Sequence, residues 1–160
     1  MNSITSPVPA LQLDEKQQKV FVLRNVLYDL DKADIRPDAA RELDKLVEIL
    51  RENPEITIEL SSHTDIRGKY DYNMKLSQRR ADSAIAYIVS KGIDAKRMTA
   101  KGYGWTKPYV ISKDEASKLA KEGTELTPKF IKKQKKKQDQ EILHQFNRRT
   151  EFKITSEEPK

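Results

Sequence analysis

The chain of 160 residues contains no cysteine, which excludes disulfides, thiolate metal sites and cysteine nucleophiles. It also has no apolar run close to the roughly 18 residues that a membrane-spanning helix needs. Its first segment, MNSITSPVPALQLDEKQQ, lacks the apolar stretch of a signal peptide and has the Ser/Pro character of a linker. We therefore expect residues 1–18 to be a flexible lead-in to a domain that belongs to a longer protein.

Hydrophobic residues make up 36% of the chain and charged residues 35%. This length and composition suit one domain with one small core. The formal net charge is +6, but acidic residues are interspersed almost everywhere. The charge therefore favours acidic partners only weakly.

Hydrophobic periodicity predicts alternating strands and helices. Apolar residues at helical spacing predict a helix over residues 37–53, which Pro37 starts and Asn53-Pro54 ends. The same pattern predicts a second helix from about residue 71 to 91, with Leu76 and Ala81 in the core and Ser77 bonding locally to the backbone. Alternating or β-rich runs predict strands near residues 20–28, 55–62, 97–104 and 148–155.

These elements predict an α/β (α+β) fold in the order β-α-β-α-β, a helical insertion, then β. The sheet is expected to be mixed, with the helices packed on one face. The expected domain covers residues 19–155, with the insertion at about 109–146 and a short tail at 156–160.

The insertion carries the run KKQKKKQ at residues 132–138 and two helical patterns, at about 113–122 and 127–146. We expect the second helix to lay its apolar side on the domain and to turn its lysines to solvent. Contact with anionic cell-wall glycan, with lipid head groups or with another protein remains an alternative.

The stretch SSHTDIRGKYDYNMKLSQRRADS, residues 61–83, concentrates the polar chemistry of the chain. Asp65 lies just past a predicted strand, and Arg80 lies in the helix that follows. A chain that leaves a sheet and returns as a packed helix brings these two side chains together. They can pair with each other, or they can grip a zwitterion, with the carboxylate on an ammonium and the guanidinium on a carboxylate. Asn73 could add a neutral donor and acceptor.

The run NMKLSQRRADSA, which starts at Asn73, follows HTD at residues 63–65 and Gly68. Together they resemble the signature of the OmpA C-terminal-like family (OmpA, Pal and MotB), whose domains bind peptidoglycan in Gram-negative envelopes. DLDK at 29–32, KGYG at 101–104 and NRRTE at 147–151 resemble other segments of that family. The long insertion departs from compact members, which join the last two strands by a short loop.

The resemblance implies a non-catalytic domain that binds the diaminopimelate, or an equivalent diamino acid, of the peptidoglycan stem peptide. Asp65 would take the ammonium group and Arg80 the neighbouring carboxylate. The other implied ligand-binding residues are Asn73, Thr64, Arg67, Leu30, Asp31, Lys32 and Arg149. The resemblance implies neither a cofactor nor a metal.

The implied location is the periplasm of a Gram-negative bacterium, associated with the outer membrane and cell wall. Other envelope proteins would be partners through the parent protein. Two segments, NVLYDLDKADI and NMKLSQRRADS, also resemble domains that end multidomain envelope proteins of Bacteroidetes-type bacteria, some of which serve type IX secretion.

Two other classes of function have some support in the residues. An enzyme could use His63 and Asp65 as an acid–base pair, but the sequence offers no second histidine nearby and no serine in a nucleophile-elbow setting. Nucleic-acid binding is suggested by the lysine run, which lacks the interleaved aromatic residues on which bases stack. We expect neither function.

Overall fold

The computed structural model describes residues 20–23 and 35–156 of the chain. Within them the strands and helices follow the predicted order, and the two long predicted helices are present to within one or two residues. The elements are β1 (Val20–Leu23), α1 (Pro37–Glu52), β2 (Ile58–His63), α2 (Tyr70–Ser90), β3 (Met98–Gly104), α3 (Pro128–Lys132), α4 (Lys137–Asn147) and β4 (Arg149–Ile154).

The strands form a mixed sheet, as the sequence predicts, and their order in the sheet is β1-β4-β2-β3. β2 and β3 are parallel, and α2 supplies the crossover that parallel neighbours require. β4 runs antiparallel to β2 and pairs Arg149 with His63. One edge of the sheet therefore gathers the ends of β2 and β3 and the start of β4. The residues that follow His63 and those that precede Arg149 meet there.

The main core lies between the sheet and helices α1 and α2. Both helices bury an apolar stripe against one face of the sheet because their hydrophobic residues recur at helical spacing. Leu76 and Ala81 are buried, as predicted. The largest members of this core are Leu43, Leu46, Ile49, Leu50, Ile58, Leu60, Ile88 and Phe152.

The insertion builds a second core on the opposite face of the sheet. Phe21 and Leu23 pack on the main core, whereas Val22 packs on the second, because successive strand residues point to opposite faces. The alternation of apolar and polar residues predicts that one side of β2 is exposed to solvent. Ser61 and His63 lie on that side, yet both are buried. The buried residues of the second core are Tyr109, Ile111, Ala120, Leu126, Ile131 and Leu143.

The predicted helices of the insertion are wrong in two places. Residues 113–122 form only a 3₁₀ turn at Lys113–Glu115, followed by a loop. Hydrogen bonds between Ile111 and Thr124, and between Gly123 and Ile111, close that loop and bring Ala120 into the second core. Helix propensity is a weak preference that such packing overrides.

The single helix predicted over 127–146 is divided into α3 and α4. The break falls at residues 133–136, inside the lysine run. A continuous helix would place these lysines three and four residues apart on one surface, where like charges destabilise a helix.

Candidate functional site

An open pocket of about 370 Å³ lies at the edge of the sheet where β2 ends. The chain leaves β2 at Thr64 and Asp65, turns at Gly68 and returns as α2, so the loop and the helix form two walls. Arg148, the residue before β4, forms a third wall. The lining residues are Thr64, Asp65, Arg67, Gly68, Tyr72, Asn73, Leu76, Arg80 and Arg148.

Asp65 lines this pocket and is buried. Its Oδ1 accepts hydrogen bonds from the backbone N–H and Nε of Arg67, at 2.9 and 3.2 Å. Its Oδ2 accepts from Nη2 of Arg67 at 2.7 Å and from Nη1 of Arg148 at 2.6 Å. Two guanidinium groups therefore share one carboxylate.

These contacts fix the protonation state of Asp65. Burial raises the pKa of a carboxyl group, but the hydrogen bonds from Arg67 and Arg148 outweigh it and lower the pKa of Asp65 from 3.8 to about 2. The hydrogen bond to Asp65 raises the pKa of Arg67. The site thus holds an anion among cations at any ordinary pH.

The close contact between α2 and β3 positions Arg80. Ser77 Oγ accepts from the N–H of Gly104 at 2.8 Å, and Gln78 Oε1 accepts from the N–H of Gly102 at 2.9 Å. Ser77 Oγ also donates to the carbonyl of Met74, in agreement with the predicted local bond. Arg80 follows Gln78 by two residues, so these hydrogen bonds to β3 also fix the position of its backbone.

Asn73 orders the loop wall. Its side-chain amide donates to the carbonyl of Arg67 at 2.7 Å, and its backbone N–H donates to the carbonyl of Lys69 at 3.0 Å. Gly68 has φ +95°, a left-handed conformation that glycine adopts readily. The loop between Asp65 and α2 is therefore held from both ends.

The insertion reaches the same site through α4. Glu141 Oε1 lies 3.2 Å from Nη1 of Arg67, and Glu141 Oε2 accepts from Nη2 of Arg148 at 2.7 Å. The hydrogen bond from Arg148 lowers the pKa of Glu141. His144, one turn further along α4, is buried, and this burial lowers its pKa.

His63 lies outside the pocket, in a separate cluster with Ser61, Tyr103 and Glu151. Its Nε2 is 3.0 Å from Ser61 Oγ and 3.6 Å from Glu151 Oε1, and its ring stacks on Tyr103. Burial, with Arg149 and Lys107 nearby, lowers the pKa of His63 from 6.5 to about 2. Serine and acid approach the same ring nitrogen, whereas a Ser-His-acid triad needs them on opposite nitrogens. His63 is therefore neutral at ordinary pH, and its contacts with Ser61 and Glu151 do not form a Ser-His-acid triad.

Residues 20–23 and 35–156 contain neither a cluster of metal-binding side chains nor a membrane-spanning helix. In those ranges no three histidine or acidic side chains come together in a way that could hold a metal ion. No helix in the same part of the chain has the length and apolar character to cross a membrane.

The OmpA family model matches residues 27–122, which is more than half of the chain. The chain belongs to the OmpA family. A peptidoglycan-associated lipoprotein of Haemophilus influenzae is 37% identical to it over 92 residues, which are 58% of this chain and 60% of that protein. Outer membrane porin F of Pseudomonas fluorescens is 36% identical over 101 residues, 63% of this chain and 31% of that protein.

A solved structure described as the cell wall anchor of the T6SS from Pseudomonas aeruginosa has the same fold. Its TM-score is 0.58 at 24% identity, and the match covers 86% of this chain and 81% of that one. In four of the curated relatives of this OmpA-family chain, the matched segment spans between 10% and 60% of the relative's length.

The structure brings five of the predicted site residues of this OmpA-family domain to one pocket: Thr64, Asp65, Arg67, Asn73 and Arg80. Three others, Leu30, Asp31 and Lys32, lie outside the described residues. Arg149 is placed elsewhere, with Nε on Glu151 at 2.6 Å and Nη2 on the carbonyl of Lys107 at 2.9 Å. Contact of any of these nine residues with a ligand stays a prediction.

Sequence reasoning missed Arg148 and Glu141. Arg148 is the neighbour of Arg149 in the quoted motif NRRTE, and which of the two faces the pocket depends on where β4 begins. Glu141 lies in the insertion, so the family resemblance gave no reason to choose it. An acidic residue seven positions before Arg148 on a helix was the one available signal.

Proposed function

We propose that this domain is a non-catalytic module that attaches an envelope protein to peptidoglycan by binding the diaminopimelate, or an equivalent diamino acid, of the stem peptide. The observation that carries the proposal is the placement of Asp65 and Arg80 in the lining of one pocket at the end of β2. The free end of such a diamino acid presents an ammonium and a carboxylate on one carbon, which an acid and an arginine can bind together.

In the proposed complex, Asp65 accepts hydrogen bonds from the ammonium and Arg80 donates to the carboxylate. Arg148 also lines the pocket and donates a hydrogen bond to Asp65. The buried amide of Asn73 and the hydroxyl of Thr64 face the same space and supply neutral hydrogen-bonding groups. In the absence of a ligand, the backbone N–H and the guanidinium of Arg67 both donate hydrogen bonds to the Asp65 carboxylate. Binding of the ammonium therefore requires the exposed guanidinium of Arg67 to give up some of these hydrogen bonds.

The comparisons support the proposed setting. A relative named peptidoglycan-associated lipoprotein, another named outer membrane porin and a solved cell wall anchor all share the domain or its fold. We propose the same setting for this chain: the periplasmic side of a Gram-negative envelope, with the parent protein in contact with other envelope proteins.

A second candidate function is protein docking through the insertion, with attachment to the wall as a tether. It is favoured by a group of lysines around the α3–α4 break, all of them exposed. In the described part of the chain none of them forms an ion pair. The lysines are Lys129, Lys132, Lys133, Lys135, Lys136 and Lys137. Recovery of an acidic envelope protein by the wild type, and not by a variant with glutamines at these positions, would support it.

The proposed function is tested by co-sedimentation with purified insoluble peptidoglycan. Asp65→Asn and Arg80→Gln should stay in solution while the wild type sediments, because each leaves one charge of the ligand unpaired. The expected loss is on the order of 2–4 kcal/mol for each variant if the site excludes water.

Matched controls lie on the same helix. Asp71→Asn and Arg79→Gln remove the same charges from exposed positions outside the pocket, so both should sediment like the wild type. Circular dichroism and a melting curve check that every variant is folded. Equal sedimentation of Asp65→Asn, Arg80→Gln and the wild type would refute the proposed site.

A further inference from the structure

Four charged side chains form a closed ring beside the pocket. Each of the two carboxylates, Asp65 and Glu141, contacts both Arg67 and Arg148, and each arginine contacts both carboxylates. Three of these residues lie at the sheet edge. The fourth, Glu141, comes from α4 of the insertion and does not line the pocket itself.

The ring limits how an ammonium group can hydrogen-bond to the Asp65 carboxylate. Both oxygens of Asp65 are already occupied by guanidinium donors, so an ammonium must share them. An arginine that releases Asp65 keeps a partner only if Glu141 is present. Within the ring, two carboxylates balance two guanidinium groups. Neutralising Glu141 would leave the ring with one net positive charge and would repel an ammonium.

We propose that Glu141 is a specificity-determining positioning residue. By holding Arg67 and Arg148, it leaves the Asp65 charge available to ligands that carry a free ammonium group. This inference rests on the proposed function of the pocket and adds the insertion to it. Without Glu141 the pocket would favour ligands that present only a carboxylate.

A purely structural role predicts something different. If Glu141 only fastened α4 to the domain, its loss would lower the melting temperature and would weaken all ligands equally. The ratio of affinities for two ligands that differ in the ammonium alone separates these roles.

The test uses Glu141→Gln, which keeps the size of the side chain and removes its charge. The two probes are a soluble stem peptide with the free amine of its diamino acid and the same peptide with that amine acetylated. NMR titration up to millimolar concentrations measures both. We expect the variant to bind the amine form about tenfold more weakly, as loss of one charge within several ångströms implies, and the acetylated form as well as or better than the wild type.

Glu122→Gln is the matched control, since Glu122 is an exposed acid of the same insertion that forms no ion pair in the described part of the chain. It should leave both affinities unchanged, and Glu141→Asp should recover part of the preference for the amine. An unchanged preference in Glu141→Gln, or equal weakening of both probes, would overturn the inference while the function proposed for the pocket stands. If the wild type binds neither probe, both proposals fail together.

Discussion

Replacing Gly102 by alanine should destabilise the domain severely. A Cβ at this position would lie 2.2 Å from the backbone N of Gln78, 2.5 Å from its Cα and 2.7 Å from the carbonyl carbon of Ser77. All three are backbone atoms of α2 and cannot rotate away. To reach ordinary contact near 3.4 Å, the helix would have to retreat from β3 by about 1 Å.

The size of the effect follows from what that retreat breaks. Overpacking against a rigid neighbour costs about 1–3 kcal/mol, and sometimes more. The hydrogen bonds that join Gly102 to Gln78 and Gly104 to Ser77 would lengthen, at about 1 kcal/mol each. We expect a total loss of about 3–5 kcal/mol in the free energy of unfolding, and weaker ligand binding because the same turn positions Arg80.

Urea denaturation of the two proteins measures this loss. Gly92→Ala is the control, because a Cβ there meets nothing within 4 Å and only the positive φ of +101° is strained. Its cost should stay near 1–2 kcal/mol. A loss below about 1 kcal/mol for Gly102→Ala would refute the close approach of α2 and β3.

Two further predictions concern pH and salt. Because the pKa of Asp65 is lowered from 3.8 to about 2, its ionised form stabilises the folded chain above about pH 4, and this contribution is lost as the pH falls towards 2. The difference in unfolding free energy between the wild type and Asp65→Asn, measured by urea denaturation, should therefore be about 2 kcal/mol at pH 6 and should shrink towards pH 2; a difference that does not change with pH would contradict the assignment. Replacing the five lysines of the KKQKKKQ run by glutamine should reduce the salt dependence of co-sedimentation with insoluble peptidoglycan, an anionic polymer, and should leave binding of a soluble stem peptide unchanged; equal salt dependence would show that the run does not contact the polymer.

Much of the fold could be predicted because its signals are local. The apolar stripes of α1 and α2 and the β-rich runs are each contained in one short segment, and the family signature spans β2 to α2. The same locality explains the prediction for Asp65 and Arg80, which are separated by one loop and nearly three turns of α2.

The insertion could not be predicted from local pattern. Residues 113–122 have good helix-forming composition, but packing of Ala120 and the bonds between Ile111 and Thr124 hold them in a loop. The contributions of Arg148 and Glu141 depend on long-range register. A shift of one residue at the start of β4 exchanges the directions of Arg148 and Arg149, and the sequence does not specify that start.

The central claim is that the pocket at the end of β2 binds a diamino acid through Asp65. Isothermal titration calorimetry with a soluble stem peptide that carries a free diamino acid tests it most directly. We predict saturable binding with one site for the wild type and for Asp71→Asn, and no detectable binding for folded Asp65→Asn. Equal binding by all three proteins, or no binding by the wild type, would contradict it.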